Sequence, residues 1–289
     1  MPERYAQMAV LAAPFRETRG WMRIVILLLA LWYGPQIILV PILSAVQTRL
    51  DWEVMITFYD GTTPSGVRWN LAIFGIYVLI LWAVMRGFHD LRLRRLLGPF
   101  ARAIHDFGRV LLYLSPFYLL LMVPGLWDPA LSQQYSVGRW LLILLPTLPL
   151  LFLQIGAEEL VFRGYLQSHL ASLVQSPLIW LGLPSVLFGL IHYDPTLPPD
   201  IAWNYVAWTT LFGLICADLT ARSGTLGPAL ALHFVNNLTA VLVMASNDWL
   251  YGASLFVLDT GGVPFVPWWP QELIVMLILW LAARLALQR

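Results

Sequence analysis

Eight apolar runs, most close to the roughly 20 residues that cross a bilayer, leave this chain one practical way to fold. They lie near Ile24–Val46, Asn70–Val84, Val110–Trp127, Trp140–Val174, Pro177–His192, Trp203–Thr220, Leu226–Ala245 and Glu272–Leu287. In hydrocarbon every backbone N–H and C=O needs an internal partner, so such runs must be helices. The composition agrees, with 59% hydrophobic and 11% charged residues against about 25% charged in soluble domains. The expectation is an all-α, polytopic membrane protein of about eight transmembrane helices, a single integral-membrane domain over residues 1–289.

Arginine placement orients the helices. All 17 basic residues are Arg. Arg4, Arg16, Arg19 and Arg23 precede or open the first run, and Arg86, Arg92, Arg94, Arg95, Arg102 and Arg109 fall between the second and third. Positive loops face the cytoplasm, and eight crossings return Arg284 and Arg289 to that side, so both termini read as cytoplasmic. The first run exceeds the roughly 7–15 residue core of a secretory signal and reads as an uncleaved anchor. Residues 87–109 mix apolar and charged positions as an amphipathic cytoplasmic segment would. His89, His105 and His169 read as interfacial. Arg-only basic usage and compact loops point to a bacterial inner (plasma) membrane. A net charge of +1 gives no nucleic-acid signature, and nothing sets an oligomeric state. The one cysteine, Cys216, forms no intrachain disulfide and reads as a packed hydrophobe.

Against this background Glu158 and Glu159 stand side by side, with Arg163 following on the same helix. A carboxylate at bilayer depth is disfavoured by roughly 2.5–3.5 kcal/mol, so two together require a polar cavity. Glu159 and Arg163, four apart, read as a structural ion pair, which leaves Glu158 pointing elsewhere. His192 is as far after residue 175 as Glu158 is before it, so antiparallel helices turning at Gln175-Ser176-Pro177 bring the two to one height. His233 and Asn237, four apart, share a helix face. The Asp194-Pro195-Thr196-Leu197-Pro198-Pro199 stretch cannot stay helical and must line a cavity. A cytoplasmic start for the seventh run makes that polar cavity cytoplasm-facing, with a fourth helix longer than a span requires.

These residues support two chemistries. A desolvated carboxylate can take a proton from water while imidazoles orient it and an amide donates to an oxyanion. Alternatively, Glu158, His192 and His233 make the three-ligand set of a catalytic zinc, although the H-E-x-x-H pattern is absent. Zn is therefore an open cofactor reading. The partners are a membrane-associated protein or peptide substrate and the lipid bilayer. Two further classes compete: a non-catalytic membrane scaffold or bacteriocin-immunity protein that uses the pocket for binding, and a proton-coupled transporter, against which there is no inverted repeat.

Three motifs, E-E-x-x-x-R at Glu158-Glu159 to Arg163, F-x-x-x-H at Phe188 to His192 and H-x-x-x-N at His233 to Asn237, resemble the CPBP (CAAX protease and bacteriocin-processing, Abi) family of intramembrane endopeptidases. That family is related to the type II CAAX prenyl endopeptidases. The motif-bearing core is about residues 140–246. The resemblance implies Glu158 as general base, His192 assisting it, His233 and Asn237 stabilising the oxyanion, and Glu159–Arg163 as the supporting pair. Some relatives are labelled metalloproteases, and a metal-free glutamate mechanism is also proposed for the family.

Overall fold

The computed structural model describes residues 2–49, 51–261, 266 and 268–288; Arg289, assigned above to the cytoplasmic side, lies outside them. In chain order the helices are α1 (Met8–Ala12), α2 (Trp21–Gln47), α3 (Trp52–Asp60), α4 (Pro64–Ala72), α5 (Phe74–His89), α6 (Phe100–Met122), α7 (Val137–Glu159), α8 (Ser168–Leu173), α9 (Pro177–Leu190), α10 (Pro199–Ser223), α11 (Gly227–Asn237) and α12 (Trp269–Leu287). Two π-helical stretches, Leu160–Gln167 and Leu238–Val243, extend α7 and α11.

Among the described residues five helical stretches are long and apolar enough to span a membrane: Trp21–Gln47, Pro64–His89, Phe100–Trp127, Val137–Leu173 and Trp269–Leu287. Pro177–Leu190 and Gly227–Val243 are shorter apolar helices, and α10 adds 25 residues, about 37 Å at 1.5 Å per residue. Each of the eight runs is thus a helix, and the fold is an all-α polytopic membrane bundle. The fourth is the long one anticipated, 37 residues, continued through the π-helical turns.

Residues 87–109 are shared among three elements: α5 ends at His89, a 3-10 turn covers Leu93–Leu97, and α6 begins at Phe100. Their apolar positions serve helix ends, with Leu96 and Ala103 buried. His89 and His169 are not interfacial. Both are buried beside Tyr165, and Phe15 stacks on His169 at 5.0 Å.

Phe15 belongs to a chain start that folds back onto the bundle. Tyr5, Met8, Leu11 and Phe15 are buried, and the Tyr5 hydroxyl donates to Asp218 at 2.7 Å. Asp218 also receives Arg222 Nε and, at 2.8 Å, Trp280 Nε1. Asp218 and Arg222, four residues apart, pair on one face of α10. Cys216 is a buried free thiol.

At the other end of the bundle, Leu131–Gln133 (β1), Met244–Ser246 (β2) and Phe256–Leu258 (β3) form a small sheet in the order β1-β3-β2, antiparallel then parallel. It ties the α6–α7 connection to the α11–α12 connection.

The turn that sets α11 is tightly packed. Gly224 takes a left-handed φ of 70° to close α10, and Pro228 sits in the first turn of α11, where its missing N–H costs nothing. A Cβ on Gly227 would lie 2.1 Å from the Ala103 carbonyl oxygen of α6. Gly227→Ala is therefore expected to destabilise by about 1–3 kcal/mol, the usual range for overpacking. Gly108→Ala, where nothing lies within 4 Å of the added carbon, should be neutral or slightly stabilising. Thermal melts of both variants in detergent check this.

Candidate active site

The site begins where α7 passes into its π-helical extension. Such widened turns recur at functional sites, and here one follows directly on Glu159. Glu159 is fully buried at 0% exposure, and its Oε1 accepts from Arg163 Nη1 at 3.0 Å. The same oxygen lies 2.8 Å from His233 Nδ1. A carboxylate oxygen facing a guanidinium accepts, so Nδ1 is the protonated nitrogen and His233 presents Nε2 to the cavity. Arg163 also donates from Nη2 to the Gly213 carbonyl at 3.2 Å and lies over the Phe188 ring, 4.5 Å from its centre. The sequence-level ion pair is present, and the structure adds that Glu159 orients His233.

Glu158 is handled differently. It is buried, and its Oε2 lies 3.5 Å from His233 Nε2. The Oε2 atoms of both glutamates are buried with no hydrogen-bond partner among the described residues. Buried polar atoms are nearly always paired, so an open carboxylate oxygen beside an imidazole marks a position built to act on something.

His192 closes α9. The last carbonyls of a helix lack intrahelical partners, and the Phe188 carbonyl is met by His192 Nδ1 at 2.7 Å. A carbonyl only accepts, so Nδ1 carries the hydrogen and neutral His192 keeps Nε2 free as an acceptor. The F-x-x-x-H spacing is thus a helix stop that fixes an imidazole tautomer.

Asn237 is held by residues the sequence reading did not single out. Its Nδ2 donates to Gln154 Oε1 at 3.0 Å, its Oδ1 accepts from Asn236 Nδ2 at 3.0 Å, and Asn236 Oδ1 accepts from Tyr118 OH at 3.2 Å. One N–H of the Asn237 amide lies outside this chain of bonds. Gln154 stands one turn before Glu158, a spacing that could have flagged it.

Glu158, His192, His233 and Asn237 line one cavity of about 70 Å³, with Gln154, Asn236, Trp208, Thr209, Phe188 and Phe212 completing its wall. Burial is graded along it. Glu158 and His233 form a buried floor, while His192, Trp208, Asn236 and Asn237 are partly exposed at the mouth. Among the described residues no three His, Cys, Asp or Glu side chains stand at metal-ligand spacing. His233 Nδ1 is taken by Glu159, and its Nε2 is 3.5 Å from Glu158 Oε2, within the roughly 3.3–3.6 Å that separates two donors of a tetrahedral zinc bound at about 2.0–2.2 Å. Glu158 and His233 are thus compatible with a zinc ion, and His192 is the residue that would complete the set.

Fold and site define a polytopic α-helical membrane protein with a carboxylate–imidazole–amide centre inside its bundle. Residues 139–239 match the family model for Type II CAAX prenyl endopeptidase Rce1-like proteins, so the motif-bearing helices resemble those of CAAX-type intramembrane proteases. YyaK of Bacillus subtilis (strain 168), described as an uncharacterized protein, is 25% identical over 206 residues. That alignment covers 68% of this chain and 66% of YyaK, just under two thirds of the relative's length. No solved structure matches the chain.

The shared Glu159 oxygen makes a specific stability prediction. Arg163→Ala leaves a buried carboxylate without its cation and is expected to cost about 3–5 kcal/mol. Adding Glu159→Gln should recover part of the loss. Folded yield and unfolding midpoints of the two single variants and the double variant measure the coupling, and strictly additive effects would contradict it.

Proposed function

We propose that this protein is an intramembrane endopeptidase that hydrolyses a peptide bond of a membrane-associated polypeptide by glutamate-activated water. The observation that carries the reading is the contrast between the two glutamates. Glu159 is committed through Oε1 to Arg163 and His233, while Glu158 lines the cavity with His192, His233 and Asn237 and faces His233 Nε2 at 3.5 Å. The family match at residues 139–239 supports it.

In this reading Glu158 takes a proton from water, and His192, with Nε2 free, accepts a hydrogen bond that orients the same water. The oxygen attacks the carbonyl carbon, and the resulting oxyanion receives the free N–H of Asn237; His233, held at Nδ1 by Glu159, would add an Nε2–H where that nitrogen also carries a proton. Collapse breaks the C–N bond, and the proton held by Glu158 passes to the departing amine. The step needs no Ser or Cys nucleophile and no metal. From the arginine distribution we place the termini in the cytoplasm and the membrane as a bacterial inner membrane.

A non-catalytic scaffold using the same pocket is the competing reading, and one experiment separates them. Terminal-peptide mass spectrometry of membranes from cells making wild-type or Glu158→Gln protein, at matched abundance, should show termini only with wild type. The variant is expected to fold normally and lose at least about 100-fold in rate, the lower range for general-base removal. Identical terminal profiles, or wild-type cleavage by purified Glu158→Gln, would sink the proposal. Cleavage is expected to persist in EDTA and 1,10-phenanthroline; loss restored by added Zn would instead assign Glu158, His192 and His233 to a zinc ion.

A further inference from the structure

A cavity of about 70 Å³ holds about two waters at roughly 30 Å³ each, far below the roughly 300–1,000 Å³ of ordinary ligand sites. A peptide cannot enter unless part of the wall moves. On α7, α9 and α11 the wall is fixed by the ion pair, the His192–Phe188 bond and the Gln154–Asn237–Asn236 chain. Arg163 also ties α10 at the Gly213 carbonyl, and further along that helix the wall is held differently.

There the wall includes Trp208, whose Nε1 donates to Glu272 Oε2 at 2.8 Å. Its ring stacks on Phe212 at 5.5 Å, and Phe212 meets His233 edge-on at 5.4 Å. Glu272 belongs to α12, which lines none of the cavity and lies outside the segment matched by the family model. An apolar groove of about 500 Å³ is lined by Leu211, three residues after Trp208, and by Leu273, next to Glu272. That groove offers a displaced indole a place to go.

We infer that the Trp208–Glu272 hydrogen bond sets access to the cavity: held, it closes the site to polypeptide, and released, it lets the indole swing toward the groove and opens the α10 wall to the substrate. Trp208 and Glu272 are thus access-determining residues, and their role for substrate rests on the proteolytic reading. The bland alternative is that the bond only ties α10 to α12. A second indole bond of the same kind supplies the control, because Trp269 Nε1 of α12 donates to Asn204 Oδ1 of α10 at 2.7 Å, and neither residue lines the cavity.

The test reads the cavity without reading proteolysis. In full-length protein carrying Cys216→Ala, a reporter cysteine replaces Gln154 on the cavity wall, with Thr209→Cys as the substitute if the first fails to fold. Its modification rate by a small methanethiosulfonate is measured in detergent. Glu272→Ala is expected to raise that rate at least about fivefold. Glu272→Gln, whose amide oxygen can still accept from the indole, should stay near wild type, and so should Asn204→Ala. Equal rates with Glu272 and Glu272→Ala would overturn the inference. So would equal acceleration by Asn204→Ala, which would show general loosening of the helix pair. If the endopeptidase reading fails while Glu272→Ala still speeds labelling, the gate stands and the occupant is a bound rather than a cleaved ligand.

Discussion

One carboxylate oxygen holds this molecule's site and fold together. Glu159 Oε1 receives both the Arg163 guanidinium and the His233 imidazole, and Arg163 reaches on to the Gly213 carbonyl and the Phe188 ring. Four helices, α7 with its extension, α9, α10 and α11, therefore meet at a single buried ion pair. In a bundle solvated by lipid, helices gain nothing by hiding apolar faces from water, so packing and interhelical polar bonds must fix their positions. A charge pair this deep is weak evidence of net stability. Its value here is positional: it fixes the height at which His233 faces Glu158.

The remaining polar side chains extend outward from that point. Glu158 and His233 lie at the floor, Asn237 is held by Gln154 and by Asn236, and Asn236 reaches Tyr118 on α6. The Asn237–Gln154 and Asn236–Tyr118 bonds cross between helices, which restricts rotamers that would otherwise be free. An amide with only one uncommitted N–H cannot satisfy itself by turning away. Preorganised donors of this kind need no rearrangement when charge develops.

Much of this was legible in the residues alone. Hydrophobic runs of spanning length can only be helices, so all eight could be placed, and intramembrane Glu, His and Asn are costly enough to name the cavity. The symmetric spacing of Glu158 and His192 about residue 175 placed both on one wall before any coordinates. Gln154, Asn236, Tyr118 and Trp208 were not legible in the same way, because an uncharged polar or aromatic residue in a span is cheap. Their convergence depends on helix rotation that periodicity does not supply. The chain start misled for a related reason: its arginines mark it as a polar lead, yet Met8, Leu11 and Phe15 fall at helical spacing and are all buried. His89 and His169 followed the same error, since the segment that buries them was not recognised as folded. The three-residue strands carry too short a pattern to read.

The two adjacent glutamates carry the sharpest physical argument about function. They share a backbone stretch, a bilayer depth and nearly complete burial, yet only one is neutralised by a cation. If the pocket served structure alone, the economical arrangement would be one ion pair and an apolar residue at position 158, because an ionisable group in hydrocarbon is disfavoured whether or not its neighbour is paired. A passive binding pocket would gain from hydrogen-bond capacity at its mouth, where His192, Asn236 and Asn237 already provide it. It has no use for a carboxylate at the floor, 3.5 Å from an imidazole nitrogen. Retaining such a group makes sense where a proton has to be taken up and given back at that depth. That requirement favours the proposed hydrolysis over passive binding.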